Sequence, residues 1–294
     1  MTRSTQPRQG QVSTVLARKL GGELLRLRDA AGRTQQQAAE SINATGTKIV
    51  KMERGWVPMR DPDIRVLCEF YGLEDPRVLA RLLELAQLDR ERRKAKGWWR
   101  NTVDSGSTAE YLGMEDVAER MRNWQSSLIP GLFQTSEYTR ALAIDESSTW
   151  GDPFDVERWV EVRRKRQERL LGERPIQMHA VIWEAALHQQ IGGASVMRAQ
   201  LERLLDVAEL PNVRLQVLPF RAGAHPCISG AFCILSFMEN EALDVVQSDT
   251  MKGMVWAENE AESNLYITAF DSTSRLALAP RDSLALIGDL RKEM

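Results

Sequence analysis

Cysteine and histidine are both scarce in the 294-residue chain, with three of each. Cys68, Cys227 and Cys233 are odd in number and contain no CxxC pair, so neither a disulfide framework nor a zinc finger is expected. His179, His188 and His225 are the only imidazoles. Cys227 lies two residues after His225, but Pro226 intervenes and no third group accompanies them, so the stretch reads as loop structure rather than a nucleophile with its base. The HExxH, GxxxxGK[ST] and GxGxxG patterns are missing. Gly192-Gly193 reads as a turn rather than an anion cradle, and Glu184, Asp244 and Glu258 have no spacing that would pair them as acid and base. No enzyme, cofactor or metal is therefore expected. No apolar run approaches the roughly 20 residues that span a bilayer. Met1 to Gln11 is polar, with Arg3 and Arg8, and does not read as a signal segment, so a cytoplasmic protein that makes no membrane contact is expected.

What is present is an ordinary globular composition, 43% hydrophobic and 27% charged, over a length that the usual domain size divides in about two. The net charge of −2 hides an asymmetry. Residues 1–100 carry 20 Lys+Arg against 12 Asp+Glu, a net of +8, which leaves −10 for the rest. A basic module joined to an acidic body is the layout expected when one end meets a polyanion such as DNA.

The basic end reads as five helices. Leu16, Leu20, Leu24 and Leu27 recur at spacings of four and three, the period of one buried helical face, and Gly32 closes the element. Thr34 with Gln37 three residues on forms a capping box for a second helix, whose inner face is Ala38, Ala39 and Ile42. After a break at Asn43, Thr45 caps a third helix with Ile49 and Met52 inward, Gly46, Thr47, Lys48 and Lys51 outward, and Gly55 at its end. Asp61-Pro62 and Asp75-Pro76 each start a further helix; the first carries Val66, Leu67 and Phe70, and the second carries Leu79, Leu82 and Leu83.

Leu24 to Pro58 resembles the XRE-type helix-turn-helix of the lambda-repressor-like fold. The match rests on Arg28, Gly32, Thr34-Gln35, Ala39, Ile42, Thr45, Ile49, Glu53, Gly55 and Pro58. Ala38 stands for the usual Leu, Asn43 for the usual turn Gly and Val50 for the usual Ser. A helix fits the major groove and presents the side chains of its first turn to base edges, which here are Thr45, Gly46, Thr47, Lys48 and Lys51. The resemblance implies that Gln35 reaches a backbone phosphate and braces the third helix. Arg33 and Arg54 are placed for phosphates.

Arg90 to Lys96 is basic and reads as a solvated helix end. Trp98-Trp99 follows as packing at a domain junction, and Asn101 to Ala109 as a polar loop. The expected organisation is a tail over 1–14, the helix-turn-helix domain over 15–88, a helix end and linker over 89–110, and an α+β domain over 111–294. In the last, Tyr111 to Trp124 has helical periodicity, Thr135 caps a helix, and Asp155 to Leu171 is a helix whose RKRQERL arginines face outward. Strand-type runs follow at 177–183, 213–220, 231–238 and 243–247, with a helix over 195–209 between the first two and two helices closing the chain at about 261–276 and 281–292.

The runs IPGLFQTSEYTRAL, RKRQERL, WEAALHQQIGG, VMRAQLERLLDVAELPNVRLQVLPF and HPCISGAFCILSF resemble the C-terminal domain of antitoxin-like, WhiJ-type bacterial transcriptional regulators. The resemblance implies a regulator whose DNA binding is modulated by a small protein encoded by an adjacent gene. The expected function is that of a repressor acting as a homodimer on double-stranded DNA. The alternative is a small-molecule sensor with a pocket around the PFRAGAHP loop.

Overall fold

The computed structural model describes residues 14–94, 98, 106–150, 155–237, 244–250, 253–257 and 260–294. The chain forms two compact units that part at Lys96/Gly97, with Ala257–Glu262 grouped with the first. The expected tail up to Ser13, Trp99, the expected loop over 101–105 and the carboxylate Glu258 lie outside the described residues.

The first unit is all helix: α1 (Val15–Ala30), α2 (Gln35–Ser41), α3 (Gly46–Glu53), α4 (Asp61–Phe70) and α5 (Pro76–Lys94). Local chemistry sets the ends. The Thr14 hydroxyl caps α1 by accepting from Ala17 N at 3.0 Å, and Gly32, Gly55 and Gly72 leave their helices at positive φ. Asp61 lies one position later than a cap: Arg60 occupies the N-cap of α4 without a side-chain bond, so Asp61 and Pro62 form the first turn. The core is built from Leu16, Leu20 and Leu24 of α1, Ala38 and Ala39 of α2, Ile49 and Met52 of α3, Ile64 and Leu67 of α4, and Leu82 and Leu85 of α5. Each large aliphatic side chain buried there contributes about 1.5–3 kcal/mol. Arg90 Nη1 donates to Met59 O and to Asp61 Oδ1, both at 2.8 Å, and Arg93 Nε to Asp89 Oδ2 at 2.8 Å. Two arginines read as solvated are thus tied into the unit.

The second unit is α+β, built on a six-stranded mixed sheet in the order β3-β2-β1-β4-β5-β6. Its strands are β1 (Arg120–Gln125), β2 (Gln177–Trp183), β3 (Val213–Leu218), β4 (Phe232–Ser236), β5 (Val245–Thr250) and β6 (Gly253–Ala257). Strands β1, β2 and β3 run parallel, and β4 is antiparallel to both β1 and β5. Parallel neighbours need long crossovers. These contain α7 (Ser136–Trp150) and α8 (Val156–Gln167) between β1 and β2, and α9 (Glu184–His188) and α10 (Ala194–Ala208) between β2 and β3. Helix α6 (Gly106–Val117) precedes the sheet, while α11 (Glu260–Leu276) and α12 (Pro280–Glu293) follow it. Trp124, Phe133, Tyr138, Phe237 and Phe270 are the largest side chains of its core.

Three expectations are corrected here. Helix α6 starts at Gly106, so the last residues of the expected loop are helical. The expected helix over Tyr111–Trp124 stops at Val117, and Arg120–Gln125 is a strand hydrogen-bonded on both sides, to β2 and β4. Its polar composition hides it, and pairing on two edges overrides local propensity. Finally, Arg166 of α8 turns inward. It donates to Glu115 at 2.7 and 2.6 Å, and Tyr111 Oη donates to the same carboxylate at 2.9 Å. Burial alone would lower the Arg166 pKa, but Glu115 and Tyr111 outweigh it and hold the guanidinium charged.

Candidate nucleic-acid interface

Helices α2 and α3 form the two arms of the helix-turn-helix, and the turn between them depends on one backbone conformation. Asn43 has φ 49, the left-handed region that Asn tolerates better than other side chains. Asn43 N donates to Glu40 O at 3.1 Å and Ala44 N to Ala39 O at 2.8 Å, which satisfies the end of α2. The capping box read from the sequence is formed: Thr34 Oγ1 accepts from Gln37 N at 3.2 Å, and Gln37 Oε1 accepts from Thr34 N at 3.0 Å.

Two glycines hold α3 against α1. A Cβ on Gly21 would lie 2.5 Å from the carbonyl oxygens of Met52 and Glu53, and one on Gly55 would lie 2.5 Å from Arg18 N. Such approaches are impossible for any other residue without movement of the backbone. The end of α3 is then clamped by Glu53, whose side chain is only 6% exposed. Its Oε1 accepts from Arg28 Nε at 2.5 Å and its Oε2 from Gln35 Nε2 at 2.7 Å, while Arg28 Nη1 reaches Arg33 O at 2.8 Å. The hydrogen bond to Glu53 raises the Arg28 pKa although burial opposes it. One carboxylate thereby ties α3 to α1 and to the start of α2. Periodicity does not reveal this clamp; the only trace of it in the sequence is that Arg28, Gln35 and Glu53 all belong to the helix-turn-helix pattern.

The residues expected to meet DNA fall as follows. Thr45 is exposed and caps α3, accepting from Lys48 N at 3.3 Å. Thr47 is exposed, Lys51 is half-buried, and Gly46 is half-buried with space for little more than a Cβ before Gln36 Oε1 at 3.4 Å. Gln35 is engaged with Glu53. Arg33 and Arg54 are exposed and rest on aromatic faces, their Cζ atoms 4.8 Å from the Phe70 ring centroid and 4.9 Å from that of Trp56. Lys48 is occupied: its Nζ lies 2.8 Å from Asp63 Oδ2, on the first turn of α4, and Arg60 Nη2 lies 3.1 Å from Asp63 Oδ1.

Burial would raise the Asp63 pKa, but the hydrogen bonds from Lys48 and Arg60 prevail and hold the carboxyl below its ordinary value. A depressed folded-state pKa gives stability that is fully present above the unfolded value of about 3.9 and is lost as pH falls through the lower folded value. The Asp63 contribution to the stability of the first unit is therefore expected to be lost as pH falls below about 4. Asp63→Asn is expected to flatten that limb in urea unfolding followed by hydrogen exchange of α3 and α4 between pH 5 and 3. An acid limb of unchanged steepness in the variant would contradict the assignment.

The two arms, the braced third helix and its outward first turn define the first unit as a helix-turn-helix DNA-binding domain, and a family model described as a helix-turn-helix domain matches residues 19–82. A second family model, described as a domain of unknown function (DUF5753), matches residues 108–289, well over half the chain. The chain belongs to the DUF5753 family. The comparison with curated proteins and that with solved structures returned no match. Among the described residues no helix is long and apolar enough to cross a membrane. No group of His, Cys, Asp and Glu among them is arranged to hold a metal ion.

In the second unit, Cys227 is buried and accepts from Thr273 Oγ1 at 3.1 Å, and His225 packs edge-on to Trp124 with centroids 5.0 Å apart. The loop that opens at Pro219 borders a depression of about 480 Å³ with Glu184, Leu278 and Asp282.

Proposed function

We propose that the protein is a sequence-specific transcriptional regulator of the antitoxin-like, WhiJ-type kind, acting as a cytoplasmic repressor, and that it performs no covalent chemistry. In this reading the base contacts come from Thr45, Gly46, Thr47, Lys48 and Lys51, with Lys48 exchanging Asp63 for the duplex. Arg33, Gln35 and Arg54 serve the phosphates. The observation that carries the reading is the outward first turn of α3, with Thr45 and Thr47 exposed, on a helix whose other end is fixed by the buried Glu53 clamp. Short side chains at 45 to 47 offer few bidentate base contacts, so each half-site binds weakly and two protomers are needed. The second unit supplies the dimer contact and docks a small protein encoded by an adjacent gene.

A homodimer places two copies of α3 in successive major grooves, about 34 Å apart. Footprinting on the gene's own promoter is expected to show two protected half-sites at that spacing, with the pattern altered on adding the purified product of the adjacent gene. A single half-site, or protection that ignores sequence, would overturn the dimer reading. A footprint indifferent to the added product would overturn the partner.

A further inference from the structure

The β-sheet carries a row of basic side chains at one end that the DNA-binding reading does not use. Register pairs Arg120 with Gln177, Arg122 with His179, and His179 with Arg214 across β1, β2 and β3. Partners in register, and residues two apart on one strand, share a face of the sheet. Arg120, Arg122, His179 and Arg214 therefore line one face, and all four border a cavity of about 330 Å³ whose wall includes Pro211 and Val213.

The charges in this cavity are unequally matched. Arg122 is neutralised by the buried Asp244, with Asp271 3.7 Å from its other terminal nitrogen. Arg214 is exposed and donates from Nε to the amide oxygen of Gln216 at 3.1 Å, while Arg120 is half-buried. Among the described residues neither has a carboxylate within ion-pair distance. The histidine adds a neutral acceptor. Gln216 donates from Nε2 to Leu278 O at 2.9 Å, which assigns its Oε1 as the acceptor 2.8 Å from His179 Nε2. His179 is thus protonated on Nε2, leaving Nδ1 as a lone pair. Burial lowers its pKa, and the neighbouring arginines add to the effect, so it stays neutral near pH 7.

Two arginines that border one cavity and have no carboxylate partner among the described residues match the charge of an oxyanion, and a guanidinium fork offers it paired N–H donors. A carboxylate satisfies one fork, whereas a phosphate has the oxygens and the second negative charge to satisfy two. The space exceeds a bare phosphate and leaves room for an organic portion against Pro211 and Val213. We propose that this cavity is a binding site for a small phosphorylated molecule, with the phosphate held by Arg120 and Arg214 and a ligand hydroxyl donating to His179 Nδ1. The site belongs to the second unit and stands whether or not the first unit binds DNA.

The test uses the full chain and inorganic phosphate as the probe, in thermal unfolding at pH 7.5 against chloride of equal ionic strength. Phosphate is expected to raise the melting temperature of the wild type progressively with concentration, as any ligand selective for the folded state does. Arg120→Gln/Arg214→Gln is expected to abolish that shift while gel-shift affinity for the promoter stays within twofold of wild type. Should the double variant fail to fold, Arg120→Gln alone removes a side chain with no acidic partner among the described residues and is expected to weaken the phosphate response at least fivefold. No phosphate effect on the wild type, or an equal effect on wild type and variants, would overturn the proposal. Promoter binding, read on the same samples, separates that failure from failure of the DNA-binding reading.

Discussion

Glu53→Ala destabilises the first unit by about 3–5 kcal/mol, the usual cost of removing one partner from a buried ion pair and stranding the other. Arg28, with its side chain 10% exposed, keeps only the solvent-exposed Asp29, 2.7 Å from its Nη1, and the Arg33 carbonyl as partners, and the Gln35 amide loses its acceptor. The loss exceeds that of a surface pair, worth about 0–1 kcal/mol, because water cannot replace the missing oxygens. It falls on α3, whose C-terminal end Glu53 fixes against α1 and α2. Hydrogen exchange of α1 to α3, measured by mass spectrometry on the full chain, is expected to quicken while peptides from β2 and β3 keep their protection. Arg28→Met/Glu53→Met, which removes both charges together, is expected to restore most of the stability. A single variant as stable as the wild type would show that the pair is not the clamp.

Glu115→Ala has a comparable effect on the second unit, again about 3–5 kcal/mol. Glu115 is 2% exposed and receives both nitrogens of Arg166 as well as the Tyr111 hydroxyl. Cys233 gives a local readout. Burial, with Glu115 adding to it, pushes the Cys233 thiol up to about 12, so it is inert to alkylation at neutral pH. In the Ala variant, iodoacetamide labelling of Cys233 is expected to accelerate by at least tenfold, while the isolated exchange behaviour of α2 and α3 is unchanged. Unaltered labelling with unaltered urea unfolding would contradict the role assigned to this pair.

These two pairs mark where the sequence stops being legible. The helices of the first unit are readable because each carries its own end signals: Thr34 with Gln37, Thr45, Pro62 and Pro76 at starts, Gly32, Gly55 and Gly72 at ends. Helical periodicity likewise puts Ile49 and Met52 inward, where the structure buries them. The pairings of Lys48 with Asp63 and Gln35 with Glu53 join residues 15 and 18 positions apart, and only the tertiary placement of helices brings them together. Strand β1 was hidden because Arg-Met-Arg-Asn-Trp-Gln has few apolar residues, yet it sits in the sheet between β2 and β4. Arg166 was hidden for the converse reason: a basic run normally marks a solvated face, and only Glu115, 51 positions away, makes its burial tolerable.

The most direct test of the central claim, that the first turn of α3 reads DNA bases, is a gel shift on the gene's own promoter at low salt, titrated with mixed-sequence competitor. Thr47 is exposed and Lys51 half-buried, so Thr47→Ala/Lys51→Ala leaves the circular dichroism of the chain intact. The double variant is expected to lose at least tenfold in discrimination for the promoter over competitor, since each base contact contributes about 1–3 kcal/mol. Full discrimination in that variant, with binding abolished instead by Arg92→Ala, would place the reading surface elsewhere.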